Sequence, residues 1–264
     1  MIFAAGLGTR LKPLTDTMPK ALVPVCGMPL LEHVARRLMS FGIDEAVINV
    51  HHFADQIQEW IGSKDWICTD PKDKKPGMML MQVSDERTML LETGGAVLHA
   101  KDYLDGCGSF LIHNVDIMSD CDLDWLSAQV RPDAVATLLV SDRKTSRYFL
   151  FHPQTMRLAG WTNISTGACI MADPELKAED CLRYAFTGIH VQSDRILELM
   201  EAYVKEKGVP AGEAGARFSI VDFYLWAAGA NPIYGVVAEN LRLLDIGKLD
   251  ALAPAEDFVR SHQA

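Results

Sequence analysis

The sequence predicts an α/β protein with a doubly wound, mostly parallel sheet that becomes mixed in its second half. From residue 1 to about 140, short apolar runs alternate with helical patterns, as strand–helix–strand units do. A glycine-containing loop, Gly6-Leu7-Gly8-Thr9-Arg10, follows the first apolar run. In such sheets ligands sit at the carboxyl ends of the strands, and small residues let backbone N–H groups approach an anion closely. Beyond about residue 141 the alternation changes to a hairpin pattern and further strands.

In chain order, Met1 to Ala5 read as a strand. Leu30, Leu31, Val34, Leu38 and Phe41 mark one face of a helix that Gly42 closes. Glu45 to Val50 is a β-rich run, and residues 53–62 read as helix. Residues 63–77 are rich in Asp, Lys and Pro with few apolar positions, so a flexible insert is expected. Met78 to Val83 is the next strand, and 94–104 a helix opening at a Thr-Gly-Gly turn. Phe110 to Ile112 and Ala134 to Val140 are strands on either side of a helix near 122–130. Tyr148 to Phe151 and Met156 to Trp161 flank His152-Pro153-Gln154-Thr155 as a hairpin. A strand at 184–191, helices at 193–206 and 219–228, and strands at Ile233 to Val237 and Arg242 to Ile246 complete the series. No repeat or long linker divides it, so one domain over 1–264 is expected.

Composition narrows the function. With 264 residues, 49% hydrophobic and 23% charged, the chain can bury one large core. No apolar run approaches the roughly 20 residues of a membrane span, and the first strand is too short for a secretory signal. The net charge of −10 argues against a nucleic-acid binder, which needs a basic face. An acidic chain that handles an anion has to concentrate its cations locally, and Arg10, Lys12 and Lys20 do so. The six scattered cysteines, without a Cys-x-x-Cys pair, read as reduced thiols of a cytoplasmic protein.

Several chemistries are excluded by spacing. No Gly-Lys-Ser/Thr run follows Gly6, so the loop is not a Walker loop. A dinucleotide fingerprint needs a third glycine where Leu11 stands, and Lys12-Pro13 resists a helix starting there. Asp120, Asp122 and Asp124 begin like a calcium loop, but Trp125 and Arg131 occupy its glycine and glutamate positions, leaving a solvated helix start. His51 and His52, adjacent on a strand, point to opposite faces and cannot chelate together. No Gly-x-Ser-x-Gly elbow organises a hydrolase.

The run Gly6-x-Gly8-Thr9-Arg10-Leu11-x-Pro13-x-Thr15-x-x-x-Pro19-Lys20-x-Leu22-x-Pro24-Val25 resembles the signature of the sugar-1-phosphate nucleotidyltransferases. The resemblance implies a Rossmann-like, GT-A-like fold without the β-helix that larger members carry. It implies a nucleotide-binding half to about residue 141 and a sugar-binding half from about 142. It also implies a few residues ahead of Met1, since the chain opens inside the first strand. The reaction would be attack of a sugar 1-phosphate oxygen on the α-phosphorus of a nucleoside triphosphate, with pyrophosphate leaving. Such a nucleophile is already an anion, so charge neutralisation and in-line positioning matter more than a base.

By the same resemblance Arg10 would grip pyrophosphate and Lys20 the α-phosphate, while Ala5, Gly6, Gly8 and Thr9 line the phosphate loop. Asp116, in the run ending His113-Asn114-Val115-Asp116, and Asp245, in Leu243-Leu244-Asp245-Ile246-Gly247, resemble the family's two Mg2+ ligands. Valine at 115 replaces a usual glycine, and Asn114 joins the nucleotide set. Glu92, Thr93, Gly94 and Gly95 resemble the element that reads base and ribose. The form Leu-Glu-Thr-Gly-Gly is most like the small uridylyltransferases acting on N-acetylmuramate 1-phosphate, which favours UTP, an amino-sugar phosphate and a role in cell-wall precursor synthesis. Guanylyl transfer to mannose or heptose phosphate, cytidylyl transfer to phosphocholine, and a non-catalytic nucleotide-sugar sensor remain open beside it. Thr187 and Gly188, with Arg147 and Asn163, are the sugar-side candidates. The basic run Arg143, Lys144, Arg147 is read equally well as a phosphate contact or a solvated loop. No nucleic acid or membrane partner is expected, and the oligomeric state is undetermined.

Overall fold

A strand covered on both faces reads as an unbroken apolar run. Glu45–Val50 forms such a strand, apolar from Ala46 to Val50 but for Asn49 and buried at every position after Glu45. The computed structural model describes residues 1–212 and 215–263. Its main elements begin with strand β1 (Ile2–Phe3), helix α1 (Leu30–Ser40), β2 (Glu45–Val50), α2 (Ala54–Gly62), β3 (Ile67–Cys68) and β4 (Met79–Asp85). Next come α3 (Glu92–His99), α4 (Lys101–Leu104), β5 (Ser109–Asn114), β6 (Ile117–Ser119), α5 (Leu123–Ala128) and β7 (Ala136–Ser141). After these follow β8 (Arg147–Phe151), β9 (Leu158–Asn163), β10 (Ala168–Met171), β11 (Leu182–Ser193) and α6 (Ile196–Lys207). The last are α7 (Ile220–Ala228), β12 (Ile233–Val237), β13 (Leu243–Asp245) and α8 (Leu252–Gln263).

The chain forms two compact units. The first comprises Met1–Leu90, His113–Asp120 and the C-terminal segment from Arg242. Its strands are parallel, in the order β5 (its last residues), β1, β2, β4, β3. Ile2 lies opposite both Ile48 and His113, and Ile48 opposite Val83. Helix α1 buries Leu30, Leu31, Val34, Ala35 and Leu38, each large apolar side chain contributing about 1.5–3 kcal/mol. Gly42, at φ +73°, turns the chain out of that helix as expected. A separate antiparallel ribbon joins β6 to β13, with Ile117 opposite Asp245.

The second unit comprises Leu91–Ile112 and Cys121–Leu241. Its long strand β11 pairs antiparallel with β7 and with β8, and β12 joins β7 in parallel. Strands β8, β9 and β10 form an antiparallel meander. Tyr203 of α6 packs against Phe218, Phe223 and Trp226, with ring centroids 5.2, 5.7 and 5.4 Å away. Such pairs add about 0.5–1.5 kcal/mol beyond the area they bury.

Several expectations need correction. The first strand is Ile2–Phe3, shorter than 1–5, because the Ala4 N–H leaves the ladder for the Asn49 side chain. Residues 63–77 contain β3, which pairs with β4, and Lys74 pins the segment to Asp44 and Glu45 at 3.1 and 2.8 Å. The helix expected at 94–104 is two, and the first opens at Glu92. His51 and His52 lie past the end of β2, where His51 Nδ1 bonds the Glu86 carbonyl at 2.7 Å. The exposed edge strand β10 and the helix α8 were not anticipated. The expected helix start at 122 is real: Asp122 Oδ1 accepts from the amides of Asp124 and Trp125.

Candidate active site

In the first unit the loop after β1 begins at a buried amide. The N–H of Ala4 donates to Asn49 Oδ1 at 2.8 Å, and Asn49 Nδ2 donates to Glu86 Oε1 at 2.9 Å. Asn49 and Glu86 are both buried, at 4% and 0% exposure, so neither bond is screened by solvent. From there the chain emerges, and Gly6, Leu7, Thr9 and Arg10 are exposed. Gly8 adopts φ +63°, and a Cβ there would lie 2.8 Å from Thr15 Cγ2 and 3.1 Å from Lys20 Cβ. The Thr15 hydroxyl donates to the Gly8 carbonyl at 2.8 Å. Gly8 is therefore a close-approach glycine that brings the loop against Lys20.

The Lys20 ammonium is in direct contact with the Asp116 carboxylate. Their side chains are only 11% and 18% exposed, so solvent screens the pair weakly. Asp116 in turn lies beside Asp245: the Ile246 N–H donates to the Asp116 carbonyl at 2.8 Å, and Asp245 faces Ile117 across the β6–β13 ribbon. The ribbon is closed by Asp120, whose Oδ1 accepts from the Arg242 N–H at 2.8 Å. Arg10 completes the cluster around Gly247. A Cβ built on Gly247 would lie 2.6 Å from Arg10 Nη2 and 2.7 Å from Asp245 Oδ1. Two cations and two carboxylates from distant segments thus meet in this unit.

Asn114 stands at the end of β5 opposite Phe3, and its carbonyl is bonded by His113 Nδ1 at 2.8 Å. Burial drives the His113 pKa down to about 4, so its ring is neutral at neutral pH. Val115 is buried and needs no left-handed backbone, so valine fits where the family pattern has glycine.

The other candidates lie in the second unit. Glu92 opens α3 at φ +61° and pairs with Arg217 at 2.9 Å. The amides of Gly94 and Gly95 donate to the Phe218 carbonyl at 2.9 and 3.2 Å. A Cβ on Gly95 would come within 2.2 Å of the Ala216 carbonyl oxygen, and one on Gly94 within 2.4 Å of the Phe218 ring. Ser219 caps α7 through the Val221 N–H at 3.1 Å, and Thr93 Oγ1 accepts from the Ile220 N–H, the first amide of that helix, at 3.0 Å. The Glu-Thr-Gly-Gly run thus docks α3 tightly on residues 216–220 and leaves Glu92 at the surface.

On β11, the Thr187 hydroxyl donates to the Leu139 carbonyl at 2.7 Å and accepts from the Ile189 N–H at 3.1 Å. It stabilises the irregularity at Gly188, φ +84°, between the paired stretches of β11 and β7. Arg143 Nη2 donates to the Phe186 carbonyl at 3.1 Å, while Lys144 is exposed. Arg147 and Asn163 face each other across β8–β9, and Asn163 Oδ1 holds the following turn through the Ser165 N–H at 3.0 Å. Asn49, Glu86, Arg217 and Gly247 were missed from sequence. The first two were hidden as polar residues at the ends of strands, with nothing local to mark them as partners.

The family model described as Nucleotidyl transferase matches residues 1–149. The chain is 30% identical over 257 residues to the N-acetylmuramate alpha-1-phosphate uridylyltransferase of Caulobacter vibrioides, covering 97% of this chain and 94% of that protein. It is 37% identical over 122 residues to the enzyme of the same name from Neisseria meningitidis, covering 46% and 48%. Among solved structures, apo-UDP-glucose pyrophosphorylase superposes with a TM-score of 0.72 over 100% of this chain and 98% of that one, at 14% identity. That likeness establishes the Rossmann-like α/β fold with a mixed, mostly parallel sheet, and no β-helix forms among the described residues.

Proposed function

The chain belongs to the nucleotidyl transferase family, and on that premise we propose that it transfers a uridylyl group from UTP to N-acetylmuramate 1-phosphate in the cytoplasm, releasing pyrophosphate. The observation that carries this is the cluster of Arg10, Lys20, Asp116 and Asp245 at the end of the phosphate loop. UTP and the amino sugar are supported by the Caulobacter relative, whose match runs nearly end to end. A cytoplasmic setting is supported by six free cysteines. No helix among the described residues is long and apolar enough to cross a membrane.

The residues fit a magnesium ion. Asp116 and Asp245 offer hard carboxylate oxygens from neighbouring backbone positions of one ribbon, and the glycine at 247 keeps the space beside Asp245 free of a side chain. No group of three or more His, Cys, Asp or Glu that could hold a metal occurs among the described residues, so substrate phosphates and water would complete the shell. When bound, the ion neutralises phosphate charge and favours in-line displacement.

The protein's own groups do the rest. Amides of the exposed loop from Gly6 to Arg10 hold the phosphates, and no step needs a strong base. Arg10 takes the departing pyrophosphate through its fork of N–H donors. Lys20, oriented by Asp116, stabilises charge that develops on the α-phosphate. Glu92 and the main chain around it serve base and ribose, and Thr187, Gly188, Arg147 and Asn163 serve the sugar.

The test is a matrix of four nucleoside triphosphates against a panel of sugar 1-phosphates with Mg2+, read by pyrophosphate release. Turnover of UTP with N-acetylmuramate 1-phosphate is expected. Consumption of GTP alone would overturn the base, and no release with any pair would overturn the reaction.

A further inference from the structure

The second unit holds a cavity of about 190 Å³ walled by Trp161, Ile170, Val221 and Leu225, with Arg147 and Asp222 as its charged groups. Its volume suits a ring substituent and part of a ring, since sites for whole small molecules run from roughly 300 Å³ upward. The cavity adjoins the Glu92–Gly95 segment through α7, because Thr93 bonds the first amide of that helix and Asp222 lies in its first turn.

Arg147 forms no ion pair among the described residues, although other arginines of this unit do: Arg217 with Glu92, Arg131 with Asp133. It opens β8, directly opposite Asn163. A guanidinium standing free over an apolar wall is matched in shape and charge to a carboxylate, which it binds through two parallel hydrogen bonds. Trp161 and Ile170 face each other across β9–β10 and present the apolar surface that the carbon face of a sugar prefers. Asp222 would repel an anion in the same cavity, so an anionic substituent needs Arg147 to offset it. Burial, with Glu92 adding to it, pushes the Asp222 carboxyl up and lessens that repulsion.

We propose that Arg147 selects a sugar 1-phosphate whose ring carries a carboxylate, by binding that carboxylate in the cavity beside Trp161. This rests on the transfer reaction proposed above and assigns Arg147 to the substituent on the ring, not to the 1-phosphate. N-acetylmuramate differs from N-acetylglucosamine by a lactyl ether bearing a carboxylate, so the pair isolates the contact.

The experiment measures kcat/KM for both 1-phosphates with saturating UTP and Mg2+, in the wild-type chain, Arg147→Gln and Arg147→Lys. The wild type prefers the carboxylated sugar. In Arg147→Gln that preference falls about 10- to 100-fold, the range of a lost charge-assisted hydrogen bond, mainly through KM. Arg147→Lys recovers part of it, as a point charge without the fork. A preference unchanged in Arg147→Gln, with both sugars losing alike, would assign the residue to the shared phosphate and overturn the inference. Equal use of both sugars by the wild type would also overturn it while the transfer reaction stands. No pyrophosphate from UTP with either sugar removes the reaction and this inference with it.

Discussion

Glycines in phosphate loops and at helix starts look alike in sequence, yet two of them here have opposite surroundings. A Cβ on Gly6 meets nothing within 4 Å, whereas one on Gly95 would sit 2.2 Å from the Ala216 carbonyl oxygen and 3.1 Å from Leu91 Cβ. The first obstacle is main chain and cannot swing aside. Gly95→Ala is therefore expected to push α3 off residues 216–218, at about 1–3 kcal/mol for overpacking. The amides of Gly94 and Gly95 also lose their shared acceptor, Phe218, at about 0.5–1.5 kcal/mol each. A total of about 2–6 kcal/mol is expected as a lower urea midpoint at unchanged slope. Gly6→Ala is expected to unfold within about 0.5 kcal/mol of wild type, since it is an exposed change with no neighbour. Its space is free for phosphate, so kcat/KM for UTP is expected to fall at least about 10-fold there, as a displaced loop does to positioning. Equal unfolding midpoints for Gly95→Ala and wild type would refute the packing role. Undiminished UTP turnover in Gly6→Ala would refute the approach of phosphate to that backbone.

Asn49→Leu removes the acceptor of the buried Ala4 N–H and the donor to buried Glu86, and about 2–4 kcal/mol of destabilisation is expected from chemical denaturation. His113 binds a proton in the unfolded chain near pH 6.5 but only at about 4 when folded. The unfolded state holds more protons between those values, so stability falls as pH drops through that window, by at most about 3 kcal/mol. A His113→Gln variant should show a flatter urea midpoint between pH 4 and 6.5, and an identical slope would contradict the assignment. Gly247→Ala crowds Arg10 and Asp245, both side chains able to shift, so fold stability is kept within about 0.5 kcal/mol. The Mg2+ concentration needed for half-maximal rate should rise in that variant, and an unchanged requirement would separate Gly247 from the metal.

Much of the first unit was legible because its strands are apolar runs and its helix α1 is strongly one-sided. Residues 45–50 and 233–237 were placed to the residue by that signal. The edge strands were not: β3 has two residues in a charged segment, and β10 is exposed along most of its length. Helix α8 buries Ala255, Phe258 and Val259, a helical spacing too short and too widely flanked by charged residues to stand out in the sequence. Within the site, Lys20 and Asp116 were named from a local motif, but their contact joins residues 96 positions apart. The local pattern of the Gly-Gly pair points to a ligand, while the Phe218 ring and the Ala216 carbonyl explain why Gly94 and Gly95 are glycine. Long-range packing of that kind has no signature in the local pattern.

The most direct measurement follows a label on the α-phosphorus of UTP in the presence of N-acetylmuramate 1-phosphate and Mg2+, with the wild-type chain and Lys20→Met side by side. The label should move into the UDP-sugar while pyrophosphate leaves unlabelled, and the rate in Lys20→Met should drop about 100- to 1000-fold, as expected for loss of one preorganised charge contact. Label recovered only in UMP or unreacted UTP, or a Lys20→Met rate equal to wild type, would contradict transfer by the Arg10, Lys20, Asp116 and Asp245 cluster.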